Sequence, residues 1–358
     1  MVFIKALLVI LFLVSATFWV AGKALPSFMS REEFKKWCNA WYAVLLIAAL
    51  AHNIWVYVVV LLCYALFVLT KTKKDRVIYF LLLFSALPMM SVEVPGAFGI
   101  RIFLVLNYPL ILVFGLLLGL YLQSSSYPRW LSLKTDAFVL LYFLFVGILS
   151  FRDDTFTNGL RDSLTIFLKF ILPYFVISRY LSDLTQLNRG LMAVLLGVIP
   201  LAPIGIFETA KHWHVYDPVV QALRGGQGAT GAFYDVRSGE LRASVIYGSP
   251  IVFGYVLVIL FGILLYVKPF IANQRFANLA GAVIILSLLA TMARGPCIGL
   301  VCMYFAYLWT GPGGLAKIAG WSLAGILSTP LLLLSSAGQT FMNLLPFIGE
   351  ERDRRAHV

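Results

Sequence analysis

Repeated apolar runs of about 20 residues are the feature that most constrains how this chain can fold, because that length matches the hydrocarbon core of a bilayer. The runs are continuous and do not alternate, which excludes a transmembrane β-barrel. The 358-residue chain is 61% hydrophobic and only 12% charged, whereas soluble domains carry about twice that charged fraction. We therefore predict an all-α, polytopic integral membrane protein.

Hydropathy predicts about twelve transmembrane helices. The apolar stretch 38–70 is too long for one crossing at about 1.5 Å per residue, so we divide it into two helices near His52 and Asn53. We interpret the first run as a retained helix and not as a signal peptide. The predicted spans are 6–22, two within 38–70, 77–92, 101–123, 136–150, 163–181, 189–207, 247–267, 277–293, 296–310 and 317–335.

Basic residues set the predicted topology. The net charge of +12 does not indicate nucleic-acid binding, because the basic residues are spread among short interhelical loops, where positive charge marks the cytoplasmic side. We treat residues 1–358 as one membrane domain with a large extracytoplasmic loop, 208–246, and an extracytoplasmic C-terminal tail, 336–358. The intervals expected to be cytoplasmic are 23–36, 71–76, 124–135, 179–189, 268–276 and 311–317.

The loop 208–246 is the longest polar interval, and a long loop that mixes aromatic and charged residues is more often functional than disordered. Glu208, His212 and His214 are its candidates for a catalytic base. Glu208 has two further interpretations, a solvated helix end and an organiser of ion pairs. The two histidines lack a third ligand at a recognisable spacing, so we expect no metal site.

Arg161, Thr165 and Lys169 follow one another at intervals of four, so they form a polar stripe on one helix face. A charge inside a span is costly unless it faces a cavity or a partner. The alternative is that the side chains extend to the lipid headgroups.

Two further arginines are expected at the external surface. Arg242 precedes the apolar run 247–267, and Arg294 lies in an Ala-Arg-Gly-Pro turn between two runs. One interpretation of Arg294 is structural, a cap on the preceding helix. The other is that Arg161, Arg242 and Arg294 converge to bind phosphate, which the planar guanidinium pairs with bidentately.

Four segments in this order resemble the superfamily of O-antigen ligases and Wzy-type polysaccharide polymerases, over roughly residues 75–350. In this sequence they read LRDS followed by ILPYFVISRYLSDLTQLNRGLMAVLLG, then GIFE with Glu208, LRASVIYGSPIVFGY with Arg242, and LLATMARGPCIGL with Arg294. The last is similar to the family's Ser-Arg-Gly turn, with Ala293 in place of serine.

The resemblance implies a multi-pass glycosyltransferase of the bacterial inner membrane that needs no cofactor. Such enzymes take a glycan from an undecaprenyl-diphosphate carrier and transfer it to an acceptor glycan or to lipid A-core, alongside other envelope polysaccharide assembly proteins. In the family, arginines hold the diphosphate. That role carries over first to Arg242 and then to Arg294, with Arg161 and Lys169 as further candidates.

The resemblance fails at the C-terminus. Relatives continue with a late periplasmic loop that carries a histidine motif, whereas His357 lacks the expected spacing. A fragment, a frameshifted product and a divergent form all remain open, and so does the catalytic base. The main alternative function is a transporter or flippase of lipid-linked oligosaccharide, which would also need internal cationic residues. A structural scaffold is a third.

Overall fold

A computed structural model describes residues 2–69, 73–86, 90–96, 102–123, 133–152, 155–223, 236–237, 239–311 and 313–323. Most of these residues are helical. The helices are α1 Val2–Ala21, α2 Arg31–Leu50, α3 Ile54–Cys63, α4 Lys73–Leu83, α5 Tyr108–Leu112, α6 Gly119–Gln123, α7 Lys134–Leu149, α8 Phe156–Ile166, α9 Leu172–Tyr180, α10 Leu184–Val198, α11 Leu201–Lys211, α12 Asp217–Leu223, α13 Pro250–Val267, α14 Gln274–Ala290 and α15 Arg294–Trp309. The strands are β1 Ser91–Pro95, β2 Ile102–Asn107, β3 Val236–Arg237 and β4 Glu240–Leu241.

Three helical stretches in the described part of the chain are long and apolar enough to cross a membrane: Val2–Ala21, Leu184–Lys211 and Pro250–Phe270. Helix α1 shows why lipid is their expected surroundings. It buries apolar side chains at every fourth position, from Ala6 to Phe18, and exposes other large apolar ones, such as Phe12 and Trp19. This outward apolar face would be unfavourable in water and is suited to lipid.

The predicted break in the apolar stretch 38–70 is confirmed. Helix α2 ends at Leu50, and His52 adopts the left-handed conformation with φ of 48°. The side chain of Asn53 then accepts hydrogen bonds from the backbone N–H groups of Trp55 and Val56 and so caps α3.

The predicted span 101–123 is wrong at its start. Residues Ile102–Asn107 form strand β2, which pairs with Ser91–Pro95 in an antiparallel hairpin. The run is rich in aromatic and branched side chains, which suit a strand as well as a helix, and its length does not separate the two. The helix begins only at Tyr108, where the Asn107 side chain accepts from Leu110 N–H and Pro109 occupies the first turn.

Contacts between residues divide the chain into two compact units. Unit 1 comprises residues 1–198, 216–230 and 270–272, and its helices α4 and α10 approach each other closely. A Cβ at Gly197 would lie 2.1 Å from the carbonyl oxygen of Leu82, so only glycine fits. Trp41 of α2 donates to the Gly197 carbonyl at 3.2 Å and joins the same contact.

Unit 2 comprises residues 199–215, 231–269 and 273–358 and contains α11, α13, α14 and α15. Glycines set its helix spacing as well. A Cβ at Gly205 of α11 would lie 2.7 Å from the ring of Phe253, and one at Gly254 of α13 would lie 2.7 Å from Pro296. The second contact fixes the first turn of α15, which begins at Arg294.

Candidate functional site

The site lies in unit 2, where α11 ends. His212 closes the helix with φ of 50°, and the N–H of Trp213 donates to the carbonyl oxygen of Glu208 at 3.1 Å. This left-handed ending reverses the chain so that residues 213–215 fold back beside the last turn of α11. The reversal brings His214 and Val215 to the side chain of Glu208.

The Glu208 carboxylate is completely buried and has four hydrogen-bond donors. Its Oε1 accepts from the N–H of Val215 at 3.1 Å, and its Oε2 accepts from the N–H groups of Ser244 at 3.3 Å and Val245 at 3.0 Å. The imidazole Nδ1 of His214 lies 3.3 Å from the same Oε2. Of the three interpretations open from sequence, this geometry argues against the solvated helix end, because such a residue would be exposed.

Arg242 is another buried ionisable group of the site, with 8% of its surface exposed. Its Nε donates to the carbonyl oxygen of Thr291 at 2.9 Å, at the end of α14. The next residue, Ala243, donates its N–H to the carbonyl oxygen of Ala290 at 3.0 Å. Arg242 is therefore held against the last carbonyls of α14, where a positive charge also interacts favourably with the helix dipole.

Arg237 reaches the same helix end, and the sequence interpretation missed it. Its Nη1 donates to the carbonyl oxygen of Met292 at 3.2 Å. It lies on β3, which pairs with β4 so that Arg237 stands opposite Glu240. The sequence feature that could have found Arg237 is its short separation from Arg242 along the chain, because a hairpin with a two-residue turn brings such residues close together.

The turn between α14 and α15 is strained where the arginines contact it. Met292 has φ of 48°, a conformation that a non-glycine residue rarely adopts and that is enriched at functional sites. The hydroxyl of Thr291 donates to the Leu288 carbonyl at 2.7 Å and accepts from the N–H of Ala293 at 3.3 Å. Arg294 follows at the start of α15 and is half-buried.

The structure thus places the Arg242 side chain against the turn that precedes Arg294. The structural alternative was that Arg294 caps the preceding helix. In the structure Arg242 and Arg237 donate to the carbonyls of Thr291 and Met292, which follow that helix. Cationic groups at one helix junction are suited to an anion with several oxygens.

The two candidate histidines have different surroundings. His214 is 5% exposed and contacts Glu208, whereas the His212 side chain is 53% exposed and its Nε2 lies 2.8 Å from the Glu240 carboxylate. The ring nitrogen of His214 that faces the Glu208 carboxylate is Nδ1, and Nε2 lies on the other side of the ring. Among the described residues, no group of three or more metal-ligating side chains is close enough to hold a metal ion.

Arg161 and Lys169 belong to unit 1. On α8 the side chains of Phe156, Leu160 and Leu164 are exposed at intervals of four. Arg161 of the same helix and Lys169, which follows it, are half-buried. Arg161 lies 3.7 Å from Asp162, and the Thr165 hydroxyl donates to its carbonyl at 2.8 Å. Lys169 lies in a π-helical turn, Phe167–Ile171, a local irregularity that is frequent at functional sites.

Parts of the predicted loop and tail lie outside the described residues. They include the glycine-rich centre, 225–231, and the C-terminal segment with His357. Comparisons of this chain with protein-family models, with curated proteins and with solved structures found no match.

Proposed function

We propose that this protein is a membrane glycosyltransferase of the O-antigen ligase or polymerase type, which transfers a glycan from an undecaprenyl-diphosphate carrier. The observation that carries the proposal is the arrangement of Arg237 and Arg242, which bind the consecutive carbonyls of Met292 and Thr291 just before Arg294. A buried carboxylate and a histidine adjoin this arrangement through Ser244 and Val245.

The proposed reaction has a simple balance. The acceptor hydroxyl oxygen bonds to the anomeric carbon of the donor sugar, and the bond from that carbon to the diphosphate oxygen breaks. The bonding electron pair leaves with the diphosphate, and the hydroxyl proton passes to a base. Fixed guanidinium groups stabilise the departing charge without reorganising, which is the largest contribution expected from a site of this kind.

In this proposal His214 is the base, because Glu208 lies against its Nδ1 and orients the ring. His212 remains the second candidate, and its contact with Glu240 is more exposed. In this proposal Arg242, Arg237 and Arg294 bind the donor diphosphate. Arg161 on α8 and Lys169 in the π-helical turn after it remain candidates from the resemblance alone.

The proposal includes the topology predicted from sequence, with about twelve spans in the bacterial inner membrane and the loop 208–246 outside the cytoplasm. Lys211 and Ser182 test it, because they mark the two ends of the apolar stretch Leu184–Lys211. Lys211 is its last residue, Ser182 precedes its first residue by two positions, and both are exposed. In a chain without its four cysteines, an impermeant thiol reagent should label Lys211→Cys in intact cells and Ser182→Cys only in opened cells. The opposite pattern overturns this topology.

Substitution of Arg242 tests the activity. In cells whose surface polysaccharide depends on this protein, Arg242→Lys keeps the charge but loses the planar fork, so both it and Arg242→Ala should slow transfer about a hundredfold, or roughly 3 kcal/mol. The measurement is polymer length together with the pool of lipid-linked single repeats. The matched control is Arg275→Ala, which removes an exposed arginine of the same unit and should leave the polymer unchanged.

The same measurement separates the alternative functions. A transferase defect accumulates lipid-linked repeats on the periplasmic side, whereas a flippase or transporter defect accumulates them on the cytoplasmic side. Unchanged polymer in both Arg242 variants, at normal protein level, rules out a role for Arg242 and leaves a scaffold as the better explanation.

A further inference from the structure

We infer that Glu208 is the positioning residue of the arginine site: its carboxylate fixes the backbone of Ser244 and Val245 and thereby holds Arg242 against the end of α14. This inference rests on the proposed function, in which Arg242 binds the donor diphosphate. It assigns Glu208 a role different from that of a catalytic base.

The segment that follows Arg242 is attached on two sides. On one side Arg242 and Ala243 bond the carbonyls of Thr291 and Ala290 in α14. On the other side the next two N–H groups, of Ser244 and Val245, donate to Glu208. Each of the four consecutive residues 242–245 therefore has a fixed partner among the described residues, and Glu208 is the side-chain acceptor for two of them.

The backbone of this segment needs such support because it is strained. Val245 has φ of 51°, which is unfavourable for a β-branched residue, and Gly248 has φ of 64° shortly afterwards. The N–H of Tyr247 donates to the Ser244 carbonyl at 3.0 Å and closes a turn between them. A non-glycine residue stays in this conformation only where its surroundings determine it, and Glu208 contributes the acceptor.

Burial and hydrogen bonding argue against Glu208 as the base. A carboxylate has about four lone-pair positions, and the four donors around Glu208 match that number. The group is fully buried, so an acceptor hydroxyl has no approach to it in this conformation. Protonation would also give one oxygen a hydrogen that faces backbone donors.

Hydrogen exchange tests the inference without any substrate. In Glu208→Gln, one amide oxygen replaces two carboxylate oxygens and an NH₂ group faces backbone N–H donors. We expect the N–H groups of residues 243–247 to exchange at least about tenfold faster in the purified protein. The control is Glu240→Gln, the same chemical change at an exposed carboxylate of unit 2, which should leave that segment unchanged. Unchanged exchange in Glu208→Gln overturns the inference.

A double-mutant cycle tests whether Glu208 acts through Arg242. The probe is undecaprenyl diphosphate in detergent micelles, with undecaprenol as the control for the lipid tail. Each of Glu208→Gln and Arg242→Ala should weaken binding at least about tenfold. The double variant should bind within about twofold of Arg242→Ala alone, because the lost effect is shared. Effects that multiply show that Glu208 acts independently of Arg242 and overturn the inference.

Two outcomes of these experiments require a further variant or a further comparison. If Glu208→Gln does not fold, Glu208→Asp keeps the charge and both oxygens but withdraws them by one methylene, and it should shift exchange and binding in the same direction by less. If the wild-type protein binds undecaprenyl diphosphate no better than undecaprenol, the proposed function fails. Hydrogen exchange in residues 243–247 then decides the positioning role by itself.

Discussion

The two units each contain a buried carboxylate, and the two are held in opposite ways. Asp136 in unit 1, with 1% of its surface exposed, is held mainly by side chains. Both terminal nitrogens of Arg179 donate to it, and the Tyr174 hydroxyl donates at 2.8 Å. Glu208 in unit 2 is fully buried, but three of its four donors are backbone N–H groups.

The difference indicates what each carboxylate does. Asp136 and Arg179 neutralise each other and join the start of α7 to the end of α9, so the guanidinium is committed to structure. Glu208 is stabilised without an arginine. Arg237 and Arg242 of unit 2 donate to main-chain carbonyls at the end of α14 and in the turn that follows it. We therefore expect structural failure from changes at Asp136, and both structural and functional failure from changes at Glu208.

The largest expected effect is that of Glu208→Leu. Three buried N–H donors would lose their acceptor, and at about 1–3 kcal/mol each the loss of stability should be on the order of 5 kcal/mol. Because the donors that lose their acceptor are backbone groups, no second side-chain substitution removes them. The double variant Glu208→Leu with His214→Phe should therefore be no more stable than Glu208→Leu alone. Unfolding of the purified protein in detergent measures this. Recovery in the double variant would show that His214 is the principal partner.

Asp136→Leu should behave differently. It leaves the Arg179 guanidinium buried without its carboxylate, which costs about 3–5 kcal/mol. Here the partner is a side chain, so the double variant Asp136→Leu with Arg179→Met should recover most of that loss. The same unfolding measurement applies. If the double variant is as unstable as Asp136→Leu alone, the ion pair is not what joins α7 to α9.

Sequence reasoning predicted the parts of this molecule that depend on local pattern. The helix break at His52 and Asn53 follows from the length of the apolar run. The stripe on α8 was expected from the spacing of four.

The features that sequence reasoning could not predict depend on long-range geometry. Nothing in the spacing of Glu208, Ser244 and Val245 indicates that they meet, because the reversal at His212 and the course of the loop decide it. The strand Ile102–Asn107 was missed because a short apolar run fits either period. His212 and His214 look equivalent in sequence, and only the left-handed ending of α11 separates them.

Gly254→Ala should have a moderate effect that is specific to unit 2. The added methyl group would lie 2.7 Å from Pro296, so α13 and the first turn of α15 must separate, at a cost of about 1–3 kcal/mol. Because Arg294 begins that turn, transfer activity should fall as well. Gly320→Ala is the control, since a Cβ there meets no atom within 4 Å. Equal stability of the two variants would show that the α13–α15 contact is not tight.

The smallest expected effect is that of His212→Asn, and it separates the two histidines. Asparagine tolerates the left-handed conformation that ends α11, so the chain reversal should persist. The lost contact with Glu240 is between exposed groups, so stability should change by less than about 0.5 kcal/mol. Transfer activity should stay within about threefold of the wild type, whereas His214→Asn should lower it at least about a hundredfold, as expected for loss of a base. The measurement is the initial rate of glycan transfer by equal amounts of folded protein. The reverse order of the two rates would move the base to His212, and the Glu208 contact with His214 would then serve structure alone.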